Sequence, residues 1–364
     1  MELFRLFLIF LIIIIFAYIL HKLLKQRYYI LKKNSPLQEG LDNIDITNLQ
    51  KNGTPIAIQN MNTKYKNMPL REYCIKASYN TAYTGKNIDS KMVKYVLGKG
   101  CRFIDLQLHY SEKDGIVYVA NITDFNSKEM ESNNRVPLDT IFNVIAANAF
   151  SNVQSDMGCP NPKDPLFIHL RVIPDMGNNI YDLIVACINK NFSKNVLLLN
   201  NNDDAIRIDK YTQMNDKIMG KALFLIDKTY NPEYATLNQS FARMMNGETG
   251  GNTFQVLDYS KIKNMTKTPP TVKDDFKTTN IVEEKIVMPE ILERYDSPSI
   301  INMVVNHGVQ ITLYSFYKQN DQLMQYEELF NNYKSGIIPI AYVIHYLDNL
   351  EKDLANNTLI LGPL

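Results

Sequence analysis

Residues Leu70–Gln107 read LREYCIKASYNTAYTGKNIDSKMVKYVLGKGCRFIDLQ. A short β-prone run, Glu72–Ala77, leads into Ser78-Tyr79-Asn80-Thr81. A polar segment follows, helical in character from Asp89 to Leu97. Gly98 and Gly100 stop it, and a second β-prone run, Arg102–Leu108, carries Asp105 and Gln107. Strand, polar loop, helix, glycine stop and strand is the plan of a β/α unit with its loop at the C-terminal end of the strand. Alternate residues of a strand share a face, so Asp105 and Gln107 point together toward that end.

The same alternation continues outward. Gly115–Ala120 reads as a short strand. Val136–Phe150 has apolar residues at 138, 141, 142, 145, 146 and 149, the spacing of an amphipathic helix, with Asp139 in its first turn. Pro165–Val172 is the next strand, and it sets His169 and Arg171 on one face. Tyr181–Ile188 reads as a helix, Gly220–Ile226 and Val309–Phe316 as further strands. Between them, residues 242–280 turn polar, with Gly247, Gly250, Gly251, Pro269 and Pro270, and read as loop around Val256–Tyr259.

The chain has 364 residues, a formal net charge of +1 and an apolar share of 45%. That suffices for one large barrel with a sizeable core, and the near-neutral body argues against nucleic acid as a partner. Cys74, Cys101, Cys159 and Cys187 have neither C-x-x-C nor zinc-ligand spacing, which excludes a zinc motif and reads as reduced, structural thiols.

Leu6–Leu20 (LFLIFLIIIIFAYIL) is an unbroken apolar run. With its apolar flanks it reaches about 20 residues, roughly one bilayer crossing. No small-x-small cleavage site follows it, so an uncleaved anchor over residues 1–25 is expected. Lys22, Lys25, Arg27, Lys32 and Lys33 lie after the run, which puts the body on the cytoplasmic side. Residues 26–68 read as a stem. Membrane lipids are the partner this segment implies.

The opening unit resembles the X region of the phosphatidylinositol-specific phospholipases C, whose pattern is close to P-L-x-x-Y-x-I-x-S-H-N-T-Y followed by G-C-R-x-x-E-L-D. Pro69, Leu70, Tyr73, Ile75, Ser78, Asn80, Thr81, Gly100, Cys101, Arg102 and Leu106 match. Further on, Arg294, Asp296, Ser297, Gly308 and Gln310 resemble the family's Y region more weakly. The resemblance implies an α/β fold, a (β/α)8 barrel of the phospholipase C-like phosphodiesterases, with its site at the C-terminal mouths of the strands. It divides the body into an X-like half (69–240), a connector (241–280) and a Y-like half (281–364). Gly336 and Ala341–Tyr346 would supply the last strand.

The family's reaction uses two histidines and Ca²⁺. The first histidine position holds Tyr79, and the second, in Tyr118-Val119-Ala120, holds Val119. Among the metal ligands Asn80 is kept, the E-L-D pair becomes Asp105-Leu106-Gln107, and the glutamate of L-S-L-E becomes Arg171. A guanidinium opposes calcium directly, so no cofactor is expected. Arg171 is expected to take the emptied metal position and pair with Asp105. Lys228 is the remaining phosphate contact, and His109 and His169 are the substitutes for the lost histidines. The expected function is a membrane-anchored, catalytically degenerate phospholipase C-like protein that binds or scaffolds, with an inositol phospholipid headgroup as the implied ligand. The alternatives are an active phosphodiesterase with a rearranged, metal-independent site, and a structural membrane or virion protein.

Overall fold

Alternation along the strands decides how this chain folds: in each central strand the odd-numbered side chains point one way and the even-numbered the other. The computed structural model describes Tyr18 and residues 57–361, apart from 125–128, 152–157, 174–176, 178, 198–204, 274–276 and 291–296. The chain divides into two units, Met1–Asp45 and Ile46–Leu364. The expected anchor lies outside the described residues except for Tyr18. Among the described residues no helix is long and apolar enough to cross a membrane.

The strands, in chain order, are β1 (Tyr73–Ile75), β2 (Ala77–Ser78), β3 (Phe103–Ser111), β4 (Ile116–Val119), β5 (Ile122–Asp124), β6 (Glu129–Met130), β7 (Val136–Pro137), β8 (Leu166–Val172), β9 (Ala222–Asp227), β10 (Gly247–Thr249), β11 (Phe254–Asp258), β12 (Thr271–Val272), β13 (Thr278–Thr279), β14 (Glu284–Met288), β15 (Ile311–Tyr314) and β16 (Ile337–Pro339). Parallel pairing runs β10-β9-β8-β3-β2-β15-β14-β11, a nearly closed barrel. The two end strands, β10 and β11, are consecutive in sequence, so the stretch Gly247–Asp258 spans the seam. Above the ring β4 pairs antiparallel with β3, and beside it β1 pairs antiparallel with β16.

Phe103, Phe167, Leu223, Leu225, Ile286, Ile311 and Leu313 fill the barrel interior. Ile104, Leu106, Ile168, Leu170, Phe224 and Ile226 face outward and pack with the helices. Those helices are α1 (Ser90–Gly98), α2 (Leu138–Ala149) and α3 (Asn179–Phe192). Asp89 caps α1 by accepting from the Lys91 N–H at 2.8 Å, and Met92, Val93, Val96 and Leu97 form its buried face. Gly100, at φ +77°, ends the turn. A Cβ on Gly336 would lie 2.3 Å from the Gly100 carbonyl oxygen, so only glycine fits there. Arg102, fully buried, ties this corner together by donating to the Ala149 carbonyl at 3.1 Å and to Asn161 Oδ1 at 3.0 Å.

Three expectations need correction. Residues 57–68, read as stem, belong to the body: Ile58 and Met61 are buried, and the Gln59 N–H donates to the Lys334 carbonyl at 2.9 Å. Val256–Tyr259 is not a loop, because it holds most of β11 and the start of a short helix, Tyr259–Asn264. Ala341–Tyr346 is not the last strand. That strand is the three-residue β16, and Ala341–Tyr346 lies in a helix, Ile340–Leu361. The apolar residues Ala341, Val343, Ile344 and Leu347 are its buried face.

Candidate functional site

At the barrel mouth β3 and β8 lie in register, with Asp105 opposite His169 and Gln107 opposite Arg171. Asp105, His169 and Arg171 share the inward parity of Phe103 and Phe167 and are fully buried. The Arg171 guanidinium sits at the centre. Its Nε donates to Asp105 Oδ1 at 2.9 Å and one Nη to Asp105 Oδ2 at 2.6 Å, a two-point grip. The same Nη donates to Asn80 Oδ1. The other donates to the Tyr79 hydroxyl at 3.4 Å and the Tyr230 hydroxyl at 3.5 Å. The guanidinium carbon also lies 4.7 Å from the Tyr79 ring centroid.

Asp105 is saturated. Besides Arg171, its Oδ1 meets His169 Nδ1 at 2.9 Å and its Oδ2 accepts the Asn80 N–H at 3.0 Å. The left-handed backbone of Asn80, φ 42°, turns that N–H inward. Burial works to raise the Asp105 carboxyl, but the Arg171 charge and the His169 hydrogen bond outweigh it and hold it well below the usual carboxylate range. Arg171 is likewise penalised by burial, and Asp105 more than compensates, so it stays charged. Tyr79 is pushed up by burial, which Arg171 opposes and Asp105 and Glu131 reinforce. A phenol shifted that way takes no proton near neutral pH.

The remaining sequence candidates separate into two groups. Asn80 and His169 join the network, His169 also reaching Thr249 Oγ1 at 2.8 Å through Nε2. Gln107 does not: its amide clamps the backbone of Ile122, accepting from the N–H at 2.7 Å. His109 pairs with Tyr118 across β3 and β4, four residues and about 13 Å along the strand from Asp105, so it and His169 do not converge. Lys228 faces away from the interior, toward Glu248 at 3.7 Å. Val119 packs in the outer apolar layer, because β4 turns its 117 and 119 side chains that way. The residue after β4 that reaches the network is Asn121, whose Oδ1 accepts from Asn80 Nδ2 at 2.9 Å and whose Nδ2 donates to Glu131 Oε2 at 3.1 Å. Asn121, Tyr230 and Thr249 carry no acid–base signature in the sequence, and Thr249 sits in the stretch read as connector.

Residues 66–222 match the family model "Phosphatidylinositol-specific phospholipase C, X domain". The chain carries an X domain of the phosphatidylinositol-specific phospholipases C. Among solved structures, PLC21 of L. pealei matches at 15% identity and a TM-score of 0.55, over 80% of this chain and 39% of that one. PLC21 of S. officinalis matches at 15% identity and a TM-score of 0.54, over 81% and 40%. This chain thus spans well under half the length of those two proteins. No curated protein matches.

Calcium, which the phospholipase C family uses, wants several oxygen ligands, usually charged. In this X domain the Asp105 oxygens already take donors from Arg171, His169 and Asn80, and a guanidinium lies among them. The residues present do not fit the ion, and among the described residues no cluster of acidic, histidine or cysteine side chains fits a metal.

Proposed function

We propose that this X-domain barrel is a catalytically degenerate phospholipase C-like module that binds or scaffolds, held at a membrane by the Leu6–Leu20 run with its body on the cytoplasmic side. The observation that carries the reading is the internal salt bridge of Arg171 with Asp105. It supplies the positive charge that a metal would supply and spends it on the protein's own carboxylate, leaving none for a phosphodiester. Among the described residues of the Arg171 network, His169 is the one imidazole. Tyr79 and Asn121 stand where acid–base groups would be wanted, and His169 is engaged at both ring nitrogens.

The test is turnover of phosphatidylinositol vesicles by the full chain with and without calcium, beside the Tyr79→His/Asn121→His/Arg171→Glu variant. The parent is expected to release no inositol phosphate. Turnover by the parent that disappears in His169→Ala would overturn the reading and establish an active, rearranged site. Membrane attachment is checked by carbonate extraction of the full chain against a chain lacking residues 1–25, which is expected to come off the membrane.

A further inference from the structure

At the end of the barrel opposite the mouth, two loop segments run side by side. The Asn67 N–H donates to the Met214 carbonyl at 3.0 Å, the Leu70 N–H to the Thr212 carbonyl at 2.9 Å and the Arg71 N–H to the Lys210 carbonyl at 3.2 Å. Lys163, shortly before β8, and Lys221, just before β9, border them. The Lys163 N–H donates to Asn60 Oδ1 at 2.8 Å, and Lys221 Nζ reaches the Lys194 carbonyl at 3.4 Å. These positions precede the strands or follow α3, so they share the end away from Arg171. Lys64, Lys163, Lys194 and Lys217 are exposed, and Lys66 and Lys221 are half-buried. On residues 63–71 and 209–221 the exposed carboxylates are Asp209 and Asp216. Asp216 takes Lys66 at 2.7 Å, and Asp209 accepts the Tyr211 N–H at 2.9 Å and the Thr212 hydroxyl at 3.1 Å. Among the described residues no carboxylate pairs with Lys64, Lys163, Lys194, Lys217 or Lys221.

The chain as a whole carries a formal charge of only +1, so a face of unpaired lysines is a local field and not a share of a general excess. These ammonium groups are spread over a surface on flexible stems, an arrangement that meets many anionic headgroups at once. Tyr211, 57% exposed, stands among them, with the Arg71 guanidinium carbon 5.0 Å and Lys210 Nζ 5.4 Å from its ring centroid. An exposed phenol flanked by cations suits the headgroup level of a bilayer. Nucleic acid would ask for successive stacking rings, but the neighbouring Tyr65 is packed edge-on against Tyr342 at 5.3 Å. We propose that this basic face docks on an anionic lipid surface, such as one rich in phosphatidylserine, and turns the mouth away from it. The mouth then meets soluble ligands or proteins instead of the phosphodiesters of the bilayer beneath. The docking does not depend on Leu6–Leu20 spanning that bilayer.

The test is amine-reactive footprinting of the full chain added to preformed phosphatidylcholine vesicles with and without phosphatidylserine. Lys64, Lys163 and Lys217 are expected to lose reactivity several-fold only when phosphatidylserine is present, and high salt should restore it. Lys113, exposed in the turn after β3 at the mouth end, is expected to label equally in both. Each lysine is worth about fivefold in affinity for the anionic surface, so Lys163→Glu together with Lys217→Glu should abolish the protection of Lys64. Tyr79→Phe, in the mouth, should leave that protection intact. Carbonate extraction separates this proposal from the anchor: a chain stripped by carbonate yet protected by phosphatidylserine vesicles supports the face without the anchor. Equal labelling of Lys64, Lys163 and Lys217 in the two kinds of vesicle overturns the proposal. So does protection of Lys113 in their place, or stronger protection by polyuridine than by the anionic vesicles at the same phosphate concentration.

Discussion

Replacing Arg171 with Met keeps an unbranched side chain and removes the charge. Asp105 would then remain buried with only His169 and the Asn80 N–H as partners. Breaking a buried pair by deleting one partner costs about 3–5 kcal/mol, a large part of a domain's typical 5–15 kcal/mol. The sign of the pH dependence also inverts. In the parent the folded Asp105 carboxyl is held below its unfolded value, so its stabilisation is complete above the unfolded pKa of about 3.9 and is lost only in stronger acid. In Arg171→Met the largest lowering cause is gone and burial, now opposed chiefly by His169, is expected to raise the carboxyl above its unfolded value, so the variant loses stability as pH rises through that raised value. The gap between the two proteins should therefore narrow from pH 8 to pH 5. Urea denaturation of the full chain, followed by circular dichroism and tyrosine fluorescence, measures it. The chain has 22 Tyr and no Trp. A variant within about 1 kcal/mol of the parent at pH 7, or a gap that does not narrow in acid, would refute the reasoning.

Other expectations follow from particular contacts. Glu284 is fully buried, and burial, reinforced by Asp209, raises its carboxyl from 4.5 to about 8. Its share of stability is complete below pH 4.5 and is lost as pH rises toward 8, at about 1.4 kcal/mol per pH unit, so Glu284→Gln should flatten that slope in denaturation series and be the more stable protein at pH 8. Gly336→Ala should destabilise by about 1–3 kcal/mol or more, since its Cβ meets the Gly100 carbonyl, while Gly98→Ala, with open space around it, should be neutral or slightly stabilising in the same assay. Tyr79→Phe should cost no more than about 1 kcal/mol, because the lost hydrogen bond is long and the ring stays against Arg171.

Much of this barrel was legible because period-two alternation survives in its central strands. The runs 102–108, 165–172 and 220–226 predict β3, β8 and β9 to within a few residues. The i, i+2 rule likewise brings His169 and Arg171 to one face and pairs Arg171 with Asp105. What stayed hidden depends on tertiary placement. β10 and β11 are short and separated by a turn that holds Gly250 and Gly251, so the stretch reads as a linker. β16 is only three residues long, and the apolar run that follows it is a helix face. The sequence reading places the second histidine position at Val119; that Asn121 reaches the network instead depends on where β4 ends, a boundary that spacing alone does not set. Gln107 shows the reverse: its face follows from parity, yet the backbone of Ile122 takes its amide.

The most direct measurement is calcium binding by the unmodified full chain, read by calorimetry and by the shift of its thermal unfolding. With the Arg171 guanidinium resident among Asp105, Asn80 and Tyr79, millimolar calcium should give no saturable heat and no rise in Tm. Saturable binding of one calcium per chain, with a Tm that rises as the ion is added and no such response in Asp105→Asn, would contradict a mouth that carries its own cation.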